Sequence, residues 1–366
     1  TWLIALLAAL AQPAFGQTLR VATFDTKLGA DGPGRLLARL RDDSDGRVSA
    51  VIEVISAARP DILLLQGIDW DARGQALSAL AARLAEAGAA YPHRYAPRPN
   101  KGLRTGLDMD GDGRRGGWAD AQGFGAFTGA GGMALLSRRP ILTDRARDFS
   151  DLLWADLPGA DLPEVDGAPF PSAKAQAVQR LSSTGHWDVP VEVPGGVLRV
   201  LAFAAGPPVF DGPEDRNGRR NADEIGFWRT YLDGALDADP PAGRFVILGN
   251  ANLDPADGDG RHGAIRALLD DPRVTDPGPR SPGGAPAAAA QGGVNAAQRG
   301  NPALDTADWA DDGPGNLRVD YVLPSADLTV TDAGVVWPAP GDPLADAVAE
   351  ASRHRLVWVD LTLEGR

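Results

Sequence analysis

The stretch FVILGNANLDP, Phe245 to Pro255, opens on an apolar run, Phe245–Leu248, long enough for one buried strand. Gly249 ends the run, and two carboxamides follow at alternate positions, Asn250 and Asn252. Residues i and i+2 at a strand end point the same way, so the two amides share the lip of a sheet. A carboxamide can accept a hydrogen bond but has no charge with which to hold a metal or take a proton. The stretch is therefore an ordinary turn or a site that lacks its charge.

Outward from this strand, the chain alternates short apolar runs with amphipathic ones. LRVATFDT (19–26) reads as a strand and PDILLLQGID (60–69) as a strand buried on both faces. Further strands are expected at 132–136, 197–203, 317–323, 328–337 and 356–363, with helices near 48–58, 76–87 and 221–236. Helices separate some strands and hairpin-like turns separate others. That mixture suits a mixed sheet or two stacked sheets with helices outside. Residues 276–305 are rich in Pro, Gly and Ala and read as a mobile loop without a packing face. The rest reads as one domain, residues 17–366.

Residues 1–16 carry a short apolar run from Leu3 to Ala11, then Ala14 and Gly16 in a small-x-small cleavage pattern. This predicts a secretion signal with its basic start missing, and so a secreted or periplasmic protein; no other segment resembles a membrane span. The absence of cysteine excludes disulfides and thiolate metal sites. A net charge of −13 argues against a nucleic-acid surface, since phosphate backbones reward Lys and Arg. The Ala-, Gly- and Arg-rich composition suggests a bacterial source.

Nine segments, in order, resemble the endonuclease/exonuclease/phosphatase superfamily with the DNase I-like fold, in its secreted bacterial branch. They are LRVATFDT, RPDILLLQGIDWD, GLDMDGDGRRGGWADAQGFGAF, GMALLSRRPI, RLSSTGHWDVPV, PPVFDGPEDRNGRRN, LGNANLDP, GNLRVDYVLPS and SRHRLVWVDL. The resemblance implies a four-layer α/β sandwich, two stacked mixed sheets flanked by helices. It also implies Mg2+-dependent phosphoester hydrolysis, with carboxylates for the metal and a positioned base for the attacking water.

Carried over residue by residue, the pattern is damaged. A glutamate that binds the metal is replaced by Gly67, a histidine by Ala204 and the water-activating aspartate by Asn250. The aspartate before the last histidine becomes Arg353, and an asparagine becomes Asp25, which could still act as a metal ligand. His354, Asp320, Asn252, Arg318 and His186 match the family, the last two as binding residues. This predicts weak or absent phosphodiesterase activity, with a pocket of Arg353, Arg318 and His354 that favours a small phosphate-bearing ligand. It also predicts that Gly67→Glu, Ala204→His, Asn250→Asp and Arg353→Asp together rebuild a magnesium site, each doing little alone.

DMDGDG offers Asp108, Asp110 and Asp112 at the spacing of a Ca2+ loop, although the residue at the twelfth place is Ala119 and Asp120 lies one further on. Asp223 and Glu224 read as residues favouring the start of a helix. Two other functions fit the same residues. One is an active hydrolase with replacement ligands from Asp25 or DMDGDG; the other is an interaction protein that uses only its outer surface.

Overall fold

In the computed structural model, which describes residues 17–310 and 312–363, the apolar runs resolve into two sheets. One has six strands in the order β14 (Thr329–Val335), β15 (Val357–Leu363), β1 (Gln17–Asp25), β2 (Ile62–Ile68), β4 (Gly132–Ser137) and β3 (His93–Tyr95). The other has five, β13 (Asp320–Pro324), β10 (Phe245–Asn250), β9 (Gly196–Ala204), β8 (His186–Val193) and β5 (Arg147–Asp148). Each sheet contains one parallel pair, β1–β2 and β9–β10, and is otherwise antiparallel. Two small ladders, β6 (Glu164–Val165) with β7 (Ala168–Pro169) and β11 (Ala307–Asp308) with β12 (Asn316–Leu317), lie outside them.

Strand alternation explains the layering. Leu63 and Leu65 of β2 pack towards helices α1 (Arg35–Leu40), α2 (Gly46–Ala58) and α3 (Gln75–Glu86), while Ile62 and Leu64 join the core between the sheets. On β10, Val246 and Leu248 enter that same middle core. Phe245 and Ile247 face the opposite way, against α5 (Arg216–Leu232) and α6 (Gly263–Leu269). Helix, sheet, sheet and helix therefore stack as four layers, and strands buried on both faces need apolar residues throughout. The Asp45 side chain caps α2 by accepting from the Val48 amide at 2.9 Å.

Three segments depart from expectation. The run 186–193 forms a full strand that Pro190 hides from a sequence reading, because proline breaks the strand pattern. Segment 317–323 divides into β12 and β13. Residues 276–305, read as a mobile loop, contain α7 (Gly284–Gln291), two 3-10 turns and an anchoring ion pair from Asp276 to Arg318. Gly284 is the reason for the close packing: a Cβ there would meet the Pro302 carbonyl at 2.2 Å. The short α4 (Ala173–Gln176) and α8 (Ala345–Ala351) complete the helices. Among the described residues no helix is long and apolar enough to cross a membrane; residues 1–16, where a secretion signal is expected, lie outside them.

Candidate functional site

The two parallel pairs end at the same edge of the sandwich, where Asp25, Gly67, Ala204 and Asn250 lie on or next to the last strand residues. Asp25 is the hub. Its buried carboxylate accepts the Lys27 ammonium at 2.6 Å and the Asn250 carboxamide at 2.9 Å, joining one sheet to the other. The His354 Nε2 stands 4.0 Å away. Burial alone would raise the Asp25 carboxyl, but the charges of Lys27 and His354 outweigh it and hold the group well below the usual carboxylate range.

Asn250 is fully committed: its other end accepts the Asn252 amide N–H at 2.7 Å. Asn252, at φ 50°, donates its side chain to the Ala205 carbonyl at the end of β9. Ala204 pairs with Asn250 in the ladder and belongs to the middle apolar core. On the third side His354 Nδ1–H donates to Asp320 at 2.8 Å, and Thr306 donates to the same carboxylate oxygen at 3.1 Å. Asp320 is raised by burial in spite of His354, and Trp309 closes edge-on over the imidazole. The histidine–aspartate dyad of the resemblance is therefore assembled.

Gly67 sits at a register irregularity between β2 and β4 with φ +66°, a left-handed conformation that favours glycine. A Cβ there would lie 2.5 Å from Asp25 Oδ1, 2.7 Å from the Lys27 backbone nitrogen and 2.9 Å from Lys27 Cα. Lys27 itself has φ 49°, so the lysine and the glycine interlock. A magnesium ion does not fit this set. Position 67 offers no oxygen, and Asp25 spends its outer oxygen on an ammonium and an amide donor. A glutamate at 67 would therefore have to displace Asp25 or the Lys27 backbone before it could offer an oxygen.

A second lysine acts on Asp25 through its charge. Lys101 is half-buried, with its Nζ 3.5 Å from where a Cβ on Gly131 would lie. Among the described residues its ammonium makes no hydrogen bond and no ion pair. Burial, and then the like charge of Lys27, push it below the usual lysine range. Asp25, Asp69 and Glu224 are the nearby acids. Sequence reasoning missed both lysines; the available signal was that the chain has three lysines among 36 basic residues.

Glu224, taken as a helix-start residue, instead lies inside α5 and is fully buried. It accepts from the Ser183 amide, the Ser183 hydroxyl and the Gly206 amide. Its neighbour Asp223 likewise braces the Trp154 indole N–H and the Asp161 amide.

Two expected binding residues cannot reach a ligand. His186 is buried against Phe203, Phe227 and Trp228, accepts from Ser182 and donates to the Glu224 carbonyl. Burial pushes it down to about 4, so it is a neutral core residue. Arg318 is clamped by two bonds to Asp276, at 2.6 and 2.8 Å, and its guanidinium lies over the Tyr321 ring. Arg353 is exposed at the rim, where its charge bears on Arg47 of α2.

The acidic loop gathers Asp108, Asp110 and Asp120, whose carboxylate oxygens lie within 4.8 Å of one another. Asp120 thus takes the place expected of Asp112, whose carboxylate instead accepts the Arg114 amide. Burial and the charges of Asp112 and Asp120 raise Asp110. An oxygen-only set of this kind suits a hard cation.

Two stacked sheets flanked by helices, with a histidine–aspartate dyad at their common edge, match the family that the sequence resembles. Residues 34–354 match the endonuclease/exonuclease/phosphatase family model, and the chain belongs to that family. The fold is similar to an endonuclease/exonuclease/phosphatase from Beutenbergia cavernae, at TM-score 0.53 and 20% identity over 95% of this chain and 72% of that one. It is also similar to a family protein from Leptotrichia buccalis, at TM-score 0.52 and 12% identity over 94% of this chain and 100% of that one. No curated protein matches the sequence significantly.

Proposed function

We propose that the chain is a family member that has exchanged metal-dependent phosphoester hydrolysis for ligand binding in the strand-end pocket. One observation carries this reading: the Lys27 ammonium holds the Asp25 carboxylate, and its backbone fills the space that a side chain at 67 needs. The His354–Asp320 pair can still orient a proton, but the Asp25 oxygen 4.0 Å from His354 Nε2 is already held by the Lys27 ammonium. With a net charge of −13, a small phosphate-bearing ligand suits the pocket better than nucleic acid.

Residues 17–366 should cleave neither DNA nor a bis-nitrophenyl phosphate in magnesium faster than a His354→Ala control. Chelator-sensitive turnover well above that control sinks the reading and favours an active hydrolase with replacement ligands.

The leader-like start supports an extracytoplasmic location. A chain with a complete N-terminus, expressed in a bacterium, should appear outside the cytoplasm with Gln17 at or near its new start. Recovery of the uncleaved chain in the cytoplasm contradicts this.

A further inference from the structure

We propose that the cleft between α7 and α8 binds a small neutral carboxamide whose apolar body is about the size of one ring. The cleft has a volume of about 230 Å3, and its lining includes none of Asp25, Lys27, Asn250 and His354. The proposal is therefore independent of the strand-end reading above. Ala290 from α7, Ala349 from α8 and the Trp337 side chain give the cleft its apolar character. An apolar cavity of about 150 Å3 is enough to hold benzene, so this one admits a ring with a short substituent.

Two polar side chains, Asp308 and Arg355, interrupt that lining. The Arg355 side chain is 4% exposed and its guanidinium lies over the Trp337 ring, 4.5 Å from the centroid. It donates to the Val348 and Ser352 carbonyls and to Asp308. Its Nε–H is buried and makes no hydrogen bond. A buried donor left without an acceptor is costly, which favours an oxygen brought by a ligand. That oxygen is not an anion's, because Asp308 stands 2.9 Å from the same guanidinium and already balances its charge.

Asp308 supplies the other half of the recognition. Its carboxylate is 24% exposed and accepts one bond at each oxygen, from Gln291 at 2.7 Å and from Arg355 at 2.9 Å. Each oxygen keeps a second lone pair for an incoming N–H. Asn316 stands opposite Asp308 in the β11–β12 ladder, and both polar atoms of its carboxamide are buried without a hydrogen bond. Polar groups beside the cleft are thus left incomplete by the chain itself, which buried groups seldom are. A carboxamide matches the two that line it, with its carbonyl oxygen for Arg355 and its N–H for Asp308.

The test is thermal denaturation of the protein titrated with benzamide, benzoate and ethylbenzene. Benzamide should raise Tm by about 2 °C at about ten times its Kd. Benzoate should do less because its charge faces Asp308, and ethylbenzene less because it leaves the donor unmet. Ala290→Phe and Ala349→Phe, at exposed helix positions, should fill the cleft and abolish the shift without lowering the basal Tm. Arg355→Lys keeps a cation beside Asp308 but removes the planar fork, and should reduce the benzamide shift to that of ethylbenzene. Should Arg355→Lys fail to fold, the ligand series and the two phenylalanine variants decide. The absence of a saturable benzamide shift overturns the proposal, as does an undiminished shift in both phenylalanine variants. Benzoate or ethylbenzene matching benzamide overturns the carboxamide assignment.

Discussion

Gly67→Glu should destabilise the protein by about 3 kcal/mol, measured by urea denaturation, even though it restores the residue that the family uses. Two terms add. Placing a side chain at φ +66° costs about 1–2 kcal/mol, and forcing it against Asp25 and the Lys27 backbone costs about another 1–3 kcal/mol. The new carboxylate would also face Asp25, which already holds a negative charge. Magnesium should offset little of the loss, because Lys27 still occupies Asp25. Combining the change with Lys27→Gly should recover part of the stability, since glycine lets the 26–28 segment move away. The coupling in a double-mutant cycle should reach about 1 kcal/mol or more. Strictly additive losses, or a well-tolerated single variant, would show that the two positions are not interlocked.

The second large effect is one of pH. Asp305→Asn should stabilise the protein by about 2–4 kcal/mol at pH 8 and by almost nothing at pH 4. Asp305 is buried with one carboxylate oxygen unpartnered, and burial, then the charges of Asp254 and Asp257, raise it to about 7. Its ordinary value is 3.8, so between these limits the folded state binds the proton and the unfolded state does not. Stability from this group is therefore full below about pH 4 and is lost as pH rises through 7. Melting of parent and variant across pH 4–8 measures it directly. A constant Tm difference over that range would remove Asp305 from the account.

Much of the architecture was legible because layering leaves a mark on composition. A strand covered on both faces has few polar positions, so 62–68 and 245–250 stand out, and the dyad of Asp320 and His354 lies in recognisable motifs. The departure from the family pattern was also visible: positions 25, 67, 204 and 250 sit at strand ends, and Arg353 lies in the loop before β15. What replaced it was not. Lys27 and Lys101 are 74 positions apart, and nothing local in the sequence shows that the charges of both bear on Asp25. Arg318 looked like a binding residue, yet its partner Asp276 lies 42 residues earlier, in a segment whose composition concealed a helix. His186 was misread for a related reason: nothing local shows that three aromatic rings from β9 and α5 enclose it.

The pairing of β1 with β15 has a consequence for how the protein is made. Residue 17 lies beside 363 and residue 23 beside 357, in the middle of the six-stranded sheet. A growing chain must therefore hold β1 without one of its two neighbours until residues 357–363 have been made. Contacts across more than 300 residues close late, because a long loop must be ordered before they form. A chain made only as far as residue 356 already carries Lys27, Asp25 and the dyad, but its six-stranded sheet is still open between β1 and β14. Docking of β15 between β1 and β14, more than any local event, is what closes this sheet.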